Sequence, residues 1–482
     1  MLLHIRQCMQ HFTLTLSVAI PAASVLASPA DSTDIQKQID ALREQVLEVQ
    51  QNTDSMRDEL DDLKANQQDW ITEERAEDLR LLVKGLLDDA DARSSLVGDG
   101  LLGGWSDGFF IASSDGRFRL NIGGLIQERY IQSYLRVGNG FNWDRWRGGL
   151  ENSRTRLNLS GHLFDRDLTY LFQPGFGWLD PNAISNSPLL RIGARYWDAW
   201  VKYRISDEWS AKLGVFMLPF SRESLVSDSR QLAVDRTLLD YRTGLGRSQG
   251  IQFTWHRDNM RIFMSTSNGG LTLRGNQAGS TNPTPPWAAL GQDTDWSGTL
   301  RAEFLMKGNW NQFNQFTSPP GSEQAEMFGV AIHSQNEERL GTGSTKVDAL
   351  GITADYSLNL DGASFFTSGT FHNIKNFTSS TQNTDMIAYV IQGSKYISET
   401  TELFVRYSAG GVIQDTFGGA NIQILTSGAN WYIEGQQFKI TSDLGWNFGE
   451  LQGIFANQML GWRGSPNRNA EWVFRTQLQV EF

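Results

Sequence analysis

The last twelve residues, 471-EWVFRTQLQVEF-482, decide the fold. Trp472, Phe474, Thr476, Leu478, Val480 and Phe482 share one face of an extended chain. Glu471, Arg475, Gln477, Gln479 and Glu481 share the other, with Val473 alone out of place. Period two is the signature of a strand. A tilted strand crosses a hydrocarbon layer in about 9–11 residues, so this one is long enough to span a membrane. An edge strand of a soluble sandwich also alternates, and the rest of the chain has to choose between the two.

The bulk properties favour the membrane. Of 482 residues 40% are hydrophobic, with 47 glycines and 16 tryptophans, yet mean hydropathy is only −0.37. Half of each barrel strand faces lipid and half faces water, which keeps the mean low. Beyond the first thirty residues no apolar run approaches the ~18 that a spanning helix needs, which excludes a helical membrane protein. The start reads as an export signal over residues 1–27: His4 and Arg6 are weakly basic, Phe12 to Ala23 is mostly apolar, and Val25-Leu26-Ala27 offers a small-residue cleavage site. The only cysteine, Cys8, lies inside it, so the exported chain is expected to hold neither thiol nor disulfide.

A second period follows. Ile35, Ile39, Leu42, Val46, Val49, Thr53, Met56, Leu60, Leu63, Gln67 and Trp70 recur at alternating spacings of four and three, a heptad register interrupted by Thr53 and Gln67. A lone helix would expose this stripe, so self-association is expected; packing against the chain's own barrel is the alternative. Glycines at 98, 100, 103 and 104 break the pattern. Residues 28–100 are therefore read as a periplasmic α-helical coiled coil, and 101–482 as an outer-membrane β-barrel.

From Arg117 the period changes to two. Phe118, Leu120, Ile122, Gly124 and Ile126 oppose Arg119, Asn121, Gly123, Leu125 and Gln127, and Thr155, Leu157, Leu159 and Leu163 oppose Arg154, Arg156, Asn158, Ser160 and His162. Further alternating segments bring the tally to about sixteen antiparallel strands, an even number as a single-chain bacterial barrel requires. The terminal strand is expected to close on the one around Leu120. Short connections such as Ser206-Asp207-Glu208 belong at the periplasmic end. The longest, Phe220 to Gly250 and Asn268 to Gly298, belong outside and can fold inward to narrow a pore. Trp197, Trp209, Trp255, Trp431 and Trp472 suit interface girdles.

Charge is unevenly placed. Residues 1–100 hold 9 basic and 19 acidic side chains, whereas 101–262 hold 21 against 16, mostly arginine. Inside a barrel that excess would make a cation-lined zone. On strand faces turned to water it would mean nothing further.

Seven segments, in order, resemble the phosphate-selective porin family of Gram-negative outer membranes, the relatives of porins O and P. They are Phe118–Tyr130 (FRLNIGGLIQERY), Arg154–Gly161, Tyr196–Tyr203 (YWDAWVKY), Lys212–Glu223 (KLGVFMLPFSRE), Gly246–Phe253 (GRSQGIQF), Leu425–Ile433 (LTSGANWYI) and Val473–Phe482. The resemblance implies a sixteen-stranded trimeric barrel with an arginine-lined, anion-preferring pore. Arg154 looks like one of two adjacent arginines of the phosphate-selective members, and Asp198 like the acidic residue facing the constriction. Ser153, Leu125 and Ser224 stand where those members carry basic residues, and the stretch matching their arginine-rich loop, His333–Lys346, holds only Arg339 as arginine. The tight phosphate site is therefore not expected to be reproduced, which leaves either a general anion preference or a weakly selective pore.

Arginine stays charged and offers a planar fork suited to phosphate or carboxylate oxygens. The pore-lining candidates are Arg119, Arg154, Arg156, Lys202, Arg204 and Lys212 on alternating faces, Asp198 among them, and Arg222, Arg230, Arg236 and Arg242 from the inward-folding connection. Asp198, Glu223, Asp228 and Asp235 could equally neutralise them by pairing. His162, His256, His333 and His372 fall on separate strands, and no HExxH or CxxC occurs. Ser368 beside His372 is a pair any serine-rich sheet supplies by chance, so the chain is read as neither an enzyme nor a binder of metal, cofactor or nucleic acid. Two readings remain: a homotrimeric diffusion channel for small hydrophilic solutes with a phosphate-like anion preference, or a structural protein tethering the outer membrane to the cell wall through its coiled coil.

Overall fold

The computed structural model describes residues 101–105, 108–135, 145–178, 192–270, 293–339, 345–377, 381–413, 421–451, 460–464 and 471–482. All lie within one compact unit, Ser94–Phe482. The signal peptide and the coiled coil expected over 1–100 lie outside the described residues.

The elements are almost wholly strands: β1 Leu101–Trp105, β2 Phe109–Ser113, β3 Arg119–Leu135, β4 Trp146–His162, β5 Leu168–Trp178, β6 Ile192–Arg204, β7 Trp209–Met217, β8 Arg247–Arg257 and β9 Met260–Ser267. The series continues with β10 Asp293–Lys307, β11 Ala325–Arg339, β12 Thr345–Leu360, β13 Ala363–Phe377, β14 Thr381–Tyr396, β15 Thr401–Val412, β16 Asn421–Glu434, β17 Phe438–Asn447 and β18 Glu471–Glu481. From β3 onward each strand pairs antiparallel with the next. β18 then returns to β3, setting Arg475 opposite Ile131 and Val480 opposite Ile126. Sixteen strands thus close a barrel, a size at which side chains alone leave a lumen.

The seam is fastened at its end. Gly124 N donates to the Phe482 carbonyl at 2.7 Å and Phe482 N donates to the Gly124 carbonyl at 3.0 Å. Below that point β2 takes over the edge of β3, Phe109 facing Ile122 and Ala112 facing Arg119. The β1–β2 hairpin was not legible as strand because Gly103 and Gly104 read as part of a glycine-rich break.

Pleating sorts the two faces. Ile332, Ile352, Ile391 and Val405, at 43%, 43%, 45% and 51% exposure, stand outside, next to Leu300, Val330, Leu403 and Leu425. So continuous an exposed apolar wall is far larger than a soluble protein tolerates and is one that lipid solvates. Trp209, Trp255 and Trp431 flank it at the end holding the short turns, and Tyr134, Trp146 and Trp472 cluster at the other. Trp197 departs from the girdle. A bulge between Gln173 and Pro174 in the β5–β6 register turns it inward, where its ring lies under Arg156.

The inside is packed rather than empty. Residues 218–246, between β7 and β8, turn inward and carry the two short helices α1 (Arg222–Leu225) and α2 (Asp240–Thr243). Apolar residues scattered through this stretch explain its path: Val226, Leu232 and Ala233 pack with Phe366, Val390 and Phe404 of the wall, and Leu238 and Leu239 with Ile422, Ile424, Leu460 and Trp462. A solvated loop would expose them. The connection after β10, residues 308–324, also folds inward, although it lies at the end expected to hold only short turns. Phe313 and Phe316 are buried, and Phe316 N donates to the Arg230 carbonyl at 3.2 Å. Segments entering from opposite ends therefore meet inside the barrel.

Candidate functional site: the constriction and its basic wall

The inward segment is first bound to itself. Ser221 caps α1 by accepting from Ser224 N. Glu223 accepts from the Thr237 amide and, at 2.8 Å, from its hydroxyl. Arg236 donates to the carbonyls of Glu223, Ser224 and Val226 at 3.0, 3.3 and 2.8 Å. Burial and the neighbouring charge of Asp240 push the Glu223 carboxyl up. The segment is therefore a folded unit that the wall then holds.

The wall holds it chiefly by the backbone. Arg301 on β10 donates to the Phe220 carbonyl at 2.7 Å, Arg406 on β15 to Asp235 at 2.9 Å, and Asn430 on β16 to Leu232 at 2.9 Å. Lys439 on β17 reaches the Gln231 carbonyl at 3.3 Å and Gln479 on β18 that of Ser229 at 3.1 Å, while His372 Nε2 on β13 lies 2.7 Å from that of Thr243. Arg301 is wholly buried and also forks onto Asp355, at 2.8 and 3.0 Å.

Charge concentrates where the segment meets β3 and β4. Asp235 takes ion pairs from Arg129 and Arg154, and Tyr241 donates to it at 3.2 Å. Asp228 takes them from Arg156 and Arg236, with Arg154 Nε at 3.6 Å. Burial alone would raise the Asp228 carboxyl, but Arg156, Arg236 and Arg154 outweigh it and hold it well below the usual carboxylate range. Asp235 is held low in the same way, burial opposing and Arg154 and Arg129 prevailing. Of the two readings of these residues, the geometry is that of pairing.

The sequence candidates separate accordingly. Arg154, Arg156 and Arg236 meet at the constriction. Arg222 is buried but donates to the Phe313 carbonyl, joining the two inward segments. Arg230 pairs with Glu481 at 3.1 Å beside the seam, and Arg242 sits partly buried on α2. Arg204 is a correction: it pairs with Asp167 at the rim, more than half exposed, because β6 leaves the barrel there. Arg119 bonds Asn121 at 2.7 Å and lies over the Phe110 ring at 4.2 Å, so the hairpin covers it. Asp198 pairs with Arg247 at 3.0 Å, and Lys202 and Lys212 face each other across β6 and β7. Arg129, Arg301 and Arg247 were missed. Arg129 was within reach, since it continues the Gln127 face of β3 by the same period.

One side of the interior stays open to water. Inward residues of β10 to β18 are largely buried, whereas Asn121, Asn158, Ser160, Gln173, Lys202, Ser210 and Lys212 remain partly exposed. This trough runs along β3 to β7 toward the turn end. Arg156 and Arg247 border it, their guanidinium carbons 3.6 and 4.7 Å from the Trp197 ring.

Among solved structures, the anion-selective porin from Comamonas acidovorans is similar at 11% identity and a TM-score of 0.49, over 75% of this chain and 99% of that one. The outer-membrane channel DcaP of Acinetobacter baumannii gives 11% and 0.49 over 79% and 100%, and OmpT of Vibrio cholerae 10% and 0.47 over 76% and 98%. Likenesses at this level carry no weight for function. No curated protein matches the chain. Residues 139–296, about a third of the chain, match the family described as phosphate-selective porin O and P, so the part that holds Arg154, Arg156, Asp198 and the inward segment is similar to that family.

Proposed function

We propose that this chain is an outer-membrane porin, a passive channel for small hydrophilic solutes with a phosphate-like anion preference. The observation that carries the reading is the combination of a lipid-compatible exterior with a water-accessible trough whose cations outnumber its acids. Lys202, Lys212, Arg156 and Arg247 stand there against Asp198 and the edge of Asp228. A row of fixed cations lowers the barrier for anions and raises it for cations. The family match over 139–296 supports the same reading.

The functional unit in this proposal is a homotrimer. The outer face of β3 and β4 argues for a protein neighbour there: Glu128 is exposed at the tenth of seventeen positions of β3, bonded to Asn152 of β4, beside Tyr130 and Gln132. A carboxylate at that depth is unfavourable against lipid. Contact with a second copy relieves it.

The test is planar-bilayer reversal potential in unequal chloride and in unequal phosphate, before and after Arg154→Ala and Arg156→Ala. Anion preference that falls in both variants is expected. A chain that opens no conductance removes the channel reading, and a reversal potential unmoved by either substitution removes these arginines from the filter.

A further inference from the structure

We propose that Asp228 is a tethered occupant of an oxyanion seat, and that a free tetrahedral oxyanion such as inorganic phosphate takes its place on Arg156, Arg236 and Arg154. The inference rests on the channel reading above and concerns how its constriction recognises a solute.

Donors outnumber acceptors at Asp228. Three guanidiniums converge on one carboxylate, which has two oxygens: Arg156 reaches Oδ2, Arg236 reaches Oδ1, and Arg154 Nε stands 3.6 Å from Oδ2. Arg154 and Arg236 have other acceptors, Asp235 and three carbonyls respectively. Arg156 has no second anion, and its buried Nε is without a hydrogen-bond partner among the described residues. An arginine fork binds best when both of its edges are used. A carboxylate already shared with Arg236 cannot do this, whereas a phosphate with four oxygens can bridge Arg236 and still meet both Nε and Nη2 of Arg156.

Position makes the exchange feasible. Arg156 sits over Trp197, its guanidinium carbon 3.6 Å from the ring centre, and borders the part-exposed trough that holds Lys202 and Lys212. Ser227, next to Asp228, is exposed, so the backbone reaches water one residue from the buried carboxylate. Asp235, buried like Asp228, is tied further: Arg129, Arg154 and Tyr241 share its carboxylate and Arg406 holds its carbonyl. The segment can therefore surrender Asp228 while Asp235 and the backbone ties keep it in place. Charge also fits, since a dianion replacing a monoanion answers the surplus of guanidinium at this point.

The experiment uses the full chain in planar bilayers and titrates inorganic phosphate at fixed ionic strength, reading block of chloride current. If Asp228 fills the seat nine-tenths of the time, Asp228→Asn lowers the half-blocking phosphate concentration by about tenfold, because the competent fraction rises by that factor. Glu151→Gln removes one negative charge from the partner of Arg129 without touching the seat, and is expected to shift half-block much less. Equal shifts in the two variants would mean a general field effect and overturn the proposal, as would an Asp228→Asn barrel whose phosphate affinity is unchanged or weaker. Should Asp228→Asn not fold, calorimetric titration of phosphate into the wild-type barrel and into Arg156→Lys decides: binding weakened by the loss of the fork supports the seat, and equal or undetectable binding in both overturns it. A barrel that binds phosphate but passes no current would refute the channel reading and leave the seat standing.

Discussion

Closing the barrel depends on two adjacent glycines that meet Phe482 differently, and alanine substitutions at the two should cost different amounts. A Cβ on Gly123 would sit 2.7 Å from the Phe482 carbonyl oxygen, while one on Gly124 would sit 2.6 Å from Cζ of the Phe482 ring and 3.2 Å from the Arg156 carbonyl. The ring is half exposed and can rotate away. The carbonyl cannot move without breaking the reciprocal hydrogen bonds between Gly124 and Phe482, at 2.7 and 3.0 Å. Two such bonds are worth about 1–3 kcal/mol together, and alanine recovers roughly 0.5–1 kcal/mol of backbone entropy relative to glycine. Gly123→Ala should therefore lose about 0.5–2 kcal/mol, whereas Gly124→Ala should stay close to wild type. Urea unfolding of the refolded barrel in detergent micelles, followed by tryptophan fluorescence, measures both. Gly124→Ala proving as costly as Gly123→Ala would refute the reasoning, because a movable ring would then count as much as a fixed carbonyl.

Arg301→Met should destabilise by about 3–5 kcal/mol, the range for leaving a buried carboxylate unpaired, since Asp355 loses its guanidinium while Glu303 keeps that of Arg261; a urea midpoint within error of wild type would contradict this. Acid stability follows from the inward segment. Asp228 and Asp235 are depressed, so their contribution is complete above the unfolded carboxylate value and is lost as pH falls below about 4. Glu223 and Asp240 are raised, chiefly by burial, so their charged forms cost stability at neutral pH and their protonation restores it. The thermal midpoint should accordingly hold or rise from about pH 7 to pH 5 and drop only below about pH 4; a steady decline from neutrality would count against this balance. Glu128→Leu separates a subunit contact from a lipid face. Loss of the oligomer in detergent with an equally stable barrel fits a contact, and an unchanged oligomer with a stabilised barrel fits lipid.

Most of the sheet was legible because its information is local. Alternation in Glu471 to Phe482 and around Leu120 needs no knowledge of the partner strand, although the alternation quoted for β3 and β4 stops short of their observed ends at Leu135 and Trp146. The inward position of 218–246 was anticipated from its length alone. Its partners were not, because Asp235 meets Arg129 and Arg154 across 106 and 81 positions of sequence, and period does not say which strand a folded-in side chain will find. The inward path of 308–324 is not legible for a related reason: Phe313 and Phe316 become core only because the other segment is already there to pack against. Trp197 fell on the wrong face because a bulge shifts the period by one, and Pro174 was the only local hint of it.

The wall takes hold of main-chain oxygens at Phe220, Ser229, Gln231, Leu232, Asp235 and Thr243, through side chains from six different strands. Every residue type carries that oxygen. The barrel thus prescribes the route of the intruding chain and leaves most of its lettering free, so relatives can exchange the groups that confront a solute, and with them the solute admitted, without relearning how to fold.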